Sequence, residues 1–191
     1  DNCSPPSNPN QVIVGWLGGG TQYLLKYLRI LKEPLNALSL NHNIKFKMVS
    51  ALAKEIRNEF KDQHFEVDYG LDTWVHLDRV PGLISDFDIG VMPLLDEPYA
   101  QGKCAMKALE YMSMGIPVVA SPVGENVFAI KHGYNGFLAS SSEEWQECLE
   151  KLIIDVSFRR KMGKNGRTFV NANYALAPIC QKIIAAVEGL Y

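Results

Sequence analysis

The chain has 191 residues, 47% of them apolar and 21% charged, enough to bury one substantial core in a single domain. Its net charge of −2 carries no electrostatic footprint for nucleic acid or an anionic membrane surface. Four widely separated cysteines (Cys3, Cys104, Cys148, Cys180) show no CxxC spacing, which argues against a zinc site or a disulfide framework and for a reducing, cytoplasmic setting.

Residues 1–10 (DNCSPPSNPN) read as a linker, because they are rich in turn formers and offer nothing to bury. They lack the basic start and apolar middle of a signal peptide, and no run of about 18 apolar residues follows that would span a membrane. Asn2-Cys3-Ser4 fits the glycosylation pattern, but without a secretory signal it reads as a chance match.

The folded domain is expected over 11–191. Val12-Ile13-Val14-Gly15-Trp16-Leu17 is nearly continuous apolar sequence, the signature of a parallel strand covered on both faces. Gly18-Gly19-Gly20-Thr21 breaks it. Tyr23, Leu24, Tyr27, Leu28, Leu31, Leu35 and Leu38 then recur at helical spacing, predicting one long amphipathic helix. Strands are predicted at about 44–49, 65–69, 88–92, 116–120 and 136–138, and helices at about 52–60, 75–85, 103–114, 142–156, 158–171 and 177–190. This alternation predicts an α/β, doubly wound parallel sheet of Rossmann-like type.

In such a sheet ligands lie beyond the carboxyl ends of the strands. Gly18, Gly19, Gly20 and Thr21 could let backbone N–H groups approach a phosphate at a helix start, or could simply make a tight turn. A dinucleotide fingerprint fails, since Tyr23 stands where a small residue is needed and no acidic residue closes the second strand at Met48-Val49-Ser50. A Walker loop fails too: Cys104 follows Gly102-Lys103, and Glu97 occupies the leading glycine position.

A second candidate is the loop 94–101 feeding a helix expected to open at Gly102. A helix start bares N–H groups, and Lys103, Lys107 and Glu110 fall on one helical face. That array suits a nucleoside diphosphate, with amides and lysine for the phosphates and a carboxylate for ribose hydroxyls. It equally describes a solvated face with a Lys107–Glu110 ion pair.

The segment ALEYMSMGIPVVASPVGENVFAIKHGYNGFLA, preceded by FDIGVMPL, resembles the C-terminal donor-binding domain of GT-B glycosyltransferases, in particular the retaining group known as family four. The likeness runs from residue 11 to about 191 and is most specific between Phe87 and Ala139. It implies a nucleoside diphosphate sugar as donor substrate, no cofactor, no required metal, and transfer of the sugar with retained anomeric configuration.

By position, the resemblance assigns Glu110 to the second glutamate of an E-x7-E motif that grips the ribose. It assigns Gly102, Lys103, Cys104, Ala105 and Met106 to the turn holding diphosphate and sugar, and Gly18, Gly19, Gly20 and Thr21 to a glycine-rich loop facing the cleft. About 69–74 and Met92-Pro93-Leu94 would border the base. The chain departs from the pattern where the first glutamate should stand, because that residue is Gly102; the usual arginine and lysine after the first strand are missing as well. Lys103 is the candidate to stabilise the leaving group in their place.

The resemblance further implies an N-terminal domain that receives an acceptor glycan or lipid-linked sugar. Without it this chain is expected to bind donor weakly and transfer little, the whole protein serving surface polysaccharide assembly and lying in the cytoplasm or peripherally at a membrane. A non-catalytic sugar-nucleotide module, favoured by Gly102, and a GT-B-fold sugar-nucleotide epimerase are the alternatives. His42, His64, His76 and His132 show no ligand-like spacing, Met106, Met112 and Met114 read as packing residues, and Cys104 reads as small buried filler.

Overall fold

The computed structural model describes residues 11–19, 24–49, 54–69 and 76–189. Within them six parallel strands form one sheet in the order β3-β2-β1-β4-β5-β6: β1 (Val12–Leu17), β2 (Ile44–Val49), β3 (Glu66–Asp68), β4 (Ile89–Met92), β5 (Val118–Ala120) and β6 (Phe137–Leu138). The order reverses between β1 and β4, so the doubly wound arrangement expected from the alternation is present, and its switch point lies at the carboxyl ends of these two strands.

Both faces of the central strands are covered, which is why β1, β4 and β5 are apolar throughout, while β2 and the edge strand β3 carry Lys45, Lys47, Glu66 and Asp68. Val14, Trp16, Phe46, Val91 and Val119 pack on one side against Leu28, Leu31 and Leu35, and against Trp145, Leu149 and Leu152 of α8 (Ser142–Ile154). Ile13, Met92, Val118 and Ala120 face the other way onto Ala108, Tyr111 and Met112 of α6 (Met106–Ser113) and Val170 of α9 (Val156–Asn173). Each fully buried leucine or phenylalanine here contributes roughly 1.5–3 kcal/mol.

Two facing glycines make room for rings against the sheet. Gly15 and Gly90 are register partners on β1 and β4, and a Cβ on either would collide with the ring of Phe87 or of Tyr111, at 2.0 and 2.4 Å. Seated in that space, Tyr111 accepts a hydrogen bond at its hydroxyl from the Leu17 amide at 2.7 Å, tying α6 to the carboxyl end of β1. On its outer side α6 meets α9, whose Gly163 lies directly on the Gly115 carbonyl.

The structure corrects several elements. The long first helix is divided into α1 (Leu25–Leu28), a 3-10 turn (Arg29–Leu31) and α2 (Lys32–Ser39); Pro34 has no N–H to give the carbonyl four residues earlier, so regular helix cannot run through. Tyr23 lies outside the described residues. The helix expected from 103 begins only at Met106, as α6, and the segment expected to be a loop over 94–101 contains a short helix, α5 (Pro98–Gln101), with a turn between the two. A short helix, α7 (Asn126–Ala129), follows β5 where none was predicted.

The remaining helices, α3 (Lys54–Phe60), α4 (Val80–Ile84) and α10 (Leu176–Glu188), fall close to their expected places. Gly115 ends α6 at φ +76, the left-handed conformation glycine adopts without strain. The start of α8 is a capping box on Ser141 and Glu144.

Candidate functional site

A cavity of about 420 Å³ opens at the switch point. The end of β1 and the following turn supply Trp16 and Gly19, α1 and its approach supply Leu24 and Tyr27, and the loop after β4 supplies Met92, Pro93 and Leu94. Tyr99, Gly102, Lys103, Cys104, Met106 and Lys107 complete the wall.

The first βα turn is held by its own aromatic neighbour. The Gly18 amide donates to the Val49 carbonyl at 3.2 Å, and a Cβ on Gly18 would fall 2.0 Å from the Trp16 indole. The glycine at 18 therefore makes room for Trp16, and its N–H is already engaged by the protein. Gly19 reaches the cavity wall, while Gly20 and Thr21 lie outside the described residues, as do residues 70–74 of the segment expected to border the base.

The second turn is built differently. Gly102 does not open a helix: it caps the carboxyl end of α5, and the Lys103 amide returns to the Ala100 carbonyl at 3.1 Å. Ala105 then takes φ +52, ψ +18, a left-handed conformation that costs a residue with a Cβ roughly 1–2 kcal/mol. It is completely buried and cannot cap with its side chain, so the first-turn amides of α6 have no side-chain acceptor. Bare amides at the positive end of a helix favour an anion.

Two lysines flank that turn. Lys107 lines the cavity with most of its surface covered, and burial pushes its ammonium below the usual lysine range; Lys103 lowers it further, while Glu110 and Cys104 pull it back. The Lys103 ammonium rests 4.5 Å from the centroid of the Tyr99 ring, a cation–π contact at the mouth.

Glu110 lies on the other side of the turn. It opens onto a second hollow of about 700 Å³ that shares Gly102, Lys103, Cys104 and Met106 with the first and is closed by Leu109, Glu125, Val170, Tyr174 and Ile179. Burial raises its carboxyl above the usual glutamate range, partly offset by Lys107. Among the described residues neither Lys107 nor Glu110 makes an ion pair within 4 Å, so the simple surface pair allowed by their spacing is not formed.

The loop after β5 supports this turn from behind. The Ser121 hydroxyl accepts from the Leu94 amide at 2.9 Å, Asn126 donates to the Ser121 carbonyl at 2.9 Å, and the Glu125 amide reaches the Lys103 carbonyl at 3.4 Å. Gly124, at φ +58, fits so tightly that a Cβ would meet the Gln101 carbonyl oxygen at 2.8 Å.

Opposite, Glu97 accepts from Lys26 at 2.6 Å and from the Tyr27 hydroxyl, joining α1 to the loop before α5. Sequence reading missed this tie, since the partners are about seventy positions apart. It also missed Trp16 and Tyr99 as cavity walls; an apolar strand end and an isolated surface tyrosine carry no periodic signal.

Two expectations about side chains are overturned. Cys104 is exposed at the rim shared by both cavities, not buried filler, because the left-handed residue after it turns the chain outward. Met106 is 57% exposed, while Met112 and Met114 pack in the core as expected. His42 pairs with Glu150, His64 donates its backbone amide to Asn36, His76 pairs with Asp78 and His132 accepts from the Leu138 amide, all away from the cavity walls. Among the described residues no group of three or more His, Cys, Asp or Glu could hold a metal ion, and no helix is long and apolar enough to cross a membrane.

Residues 11–155 match the family of glycosyl transferases group 1. The D-inositol 3-phosphate glycosyltransferase of Paenarthrobacter aurescens is 33% identical over 157 residues, which is 78% of this chain and 36% of that protein. A glycosyltransferase of Methanocaldococcus jannaschii is 27% identical over 86% of this chain and 40% of its own length, so the chain spans well under half of these relatives.

Among solved structures, the C-terminal domain of the Francisella tularensis group 1 glycosyltransferase LpcC superposes with a TM-score of 0.71 at 20% identity, covering 90% of this chain and 88% of that one. Anabaena HepE in complex with UDP superposes with a TM-score of 0.73 at 22% identity, over 94% and 49%. The switch-point cavity thus sits in a fold shared with glycosyltransferases, and the match over most of its length shows that this chain belongs to the group 1 glycosyltransferase family.

Proposed function

We propose that this chain is the donor-binding half of a retaining glycosyltransferase, and that it holds a nucleoside diphosphate sugar across the α5–α6 turn. The observation that carries this reading is Lys107: a largely covered ammonium on a cavity wall, with no ion-paired carboxylate among the described residues, beside the uncapped start of α6. A buried charge without a partner is costly, and a diphosphate would supply both the missing counter-charge and acceptors for the bare amides.

In this reading Lys107 and Lys103 neutralise the diphosphate as the bond to the sugar breaks, which is electrostatic stabilisation of a leaving group. Apolar walls at Trp16, Leu24, Pro93 and Leu94 suit a flat or hydrophobic part of the ligand, and Glu110 accepts hydrogen bonds from its hydroxyls. Gly19 and the first-turn amides of α6 complete the contacts. The acceptor, a glycan or a lipid-linked sugar, is received by a second, N-terminal domain of the whole protein, which acts in surface polysaccharide assembly at or near a membrane.

That a relative is a D-inositol 3-phosphate glycosyltransferase and that HepE was crystallised with UDP support the substrate class. Gly102, which contributes no side chain to the wall, favours a second reading in which the domain binds a sugar nucleotide without catalysis. Calorimetric titration of the 191-residue chain with the diphosphates of uridine, guanosine and adenosine tests the shared claim. At least one should bind at millimolar concentration or better; no binding of any would overturn both readings.

A further inference from the structure

The second hollow contains a carboxylate that neither spacing nor resemblance singled out. Glu125 stands on the loop after β5 and lines the same hollow as Glu110, Met106 and Ser113. Its position is set at two levels. The backbone is fixed because Gly124 wedges against the Gln101 carbonyl and the Glu125 amide reaches the Lys103 carbonyl at 3.4 Å, so this loop is part of the turn that carries the lysines. The side chain is aimed by Tyr174, whose hydroxyl donates to Oε1 at 3.3 Å from the end of α9.

Among the described residues this bond takes up one of the four oxygen lone-pair directions of that carboxylate, and a carboxylate has no donor of its own. A hollow lined by two acceptor-only groups and sharing Lys103 with the first cavity has the chemistry to grip neighbouring hydroxyls on a ligand whose phosphates sit at the lysines.

We propose that Glu125 is a specificity-determining residue of the donor site, accepting hydrogen bonds from a vicinal diol of the bound sugar nucleotide together with Glu110. This rests on the donor-site reading above. The diol belongs either to the ribose or to the transferred sugar, and the two leave different signatures.

The test uses the 191-residue chain and three probes: whichever of the uridine, guanosine and adenosine diphosphates binds the wild type best, its 2′-deoxy form, and its glucose conjugate. If the diol is the ribose, Glu125→Ala weakens the nucleoside diphosphate about tenfold and leaves the 2′-deoxy form unchanged. If it is the sugar, Glu125→Ala leaves the nucleoside diphosphate unchanged and weakens only the glucose conjugate, again by about tenfold. Tyr174→Phe, which frees the carboxylate without removing it, should give a smaller loss in the same pattern.

Glu125→Gln, which keeps the side-chain shape, repeats the test if the alanine variant fails to fold. All three probes staying within twofold of wild type, or all three weakening equally, overturns the role of Glu125 alone. A wild-type chain that binds none of the diphosphates overturns the donor site and this inference with it.

Discussion

Two turns leave the sheet at its switch point, and they are made of opposite materials. The turn after β1 could be read in sequence as an anion binder or as a tight turn, and in the structure Gly18 accommodates the Trp16 indole and its amide is already bonded to Val49. The α5–α6 turn has one glycine, placed as a helix C-cap, but it gathers two lysines, a strained Ala105 and an uncapped helix start. Glycines permit a backbone path, whereas only unspent donors and unpaired charge make an anion site.

The largest expected effect falls on Lys107. Lys107→Met should weaken nucleoside diphosphate binding by about 2–3 kcal/mol, as expected for a charge-assisted contact, while raising thermal stability by roughly 1 kcal/mol through removal of a poorly solvated ammonium. Calorimetry and melting curves on the same variant read both signs. A variant that loses stability and keeps its affinity would make Lys107 a structural residue and erase the contrast between the turns.

Gly18→Ala should do the reverse: destabilise by about 1–3 kcal/mol through overpacking against Trp16, with the remaining folded protein binding normally. Gly102→Ala has open space, with its nearest neighbour at 3.7 Å, and should melt like wild type. Equal melting of the two variants would show that Gly18 is not a packing position.

The pH dependence sharpens the same comparison. Burial holds Lys107 below the ordinary lysine range, and a bound diphosphate raises it again, so binding takes up protons. Affinity should be full below the lowered value, fall as pH rises through it, and be flat over that window in Lys107→Met. Titrations in buffers of different ionisation enthalpy measure the uptake directly. The smallest effect is at Ala105: Ala105→Gly should stabilise the chain by roughly 0.5–1 kcal/mol, because glycine adopts φ +52 without strain.

Much of this architecture was legible in the residues. Continuous apolar strands at 12–17 and 89–92 announced a sheet covered on both faces, and Gly115 before Ile116-Pro117-Val118 marked the end of α6. The late start of α6 was not legible, because 103–114 has unbroken helical composition and nothing local marks Ala105 as left-handed. Nor could spacing show that Lys107 and Glu110, three positions apart, open onto different cavities.

The sequence alone determined the doubly wound sheet and the family resemblance, since periodicity and local motifs record which faces must be buried. Only the tertiary structure decided which atoms remain available. Whether an amide is spent, a lysine is paired or a glutamate lines the same hollow as Glu125 depends on partners brought together from distant strands and helices, and no local pattern encodes them.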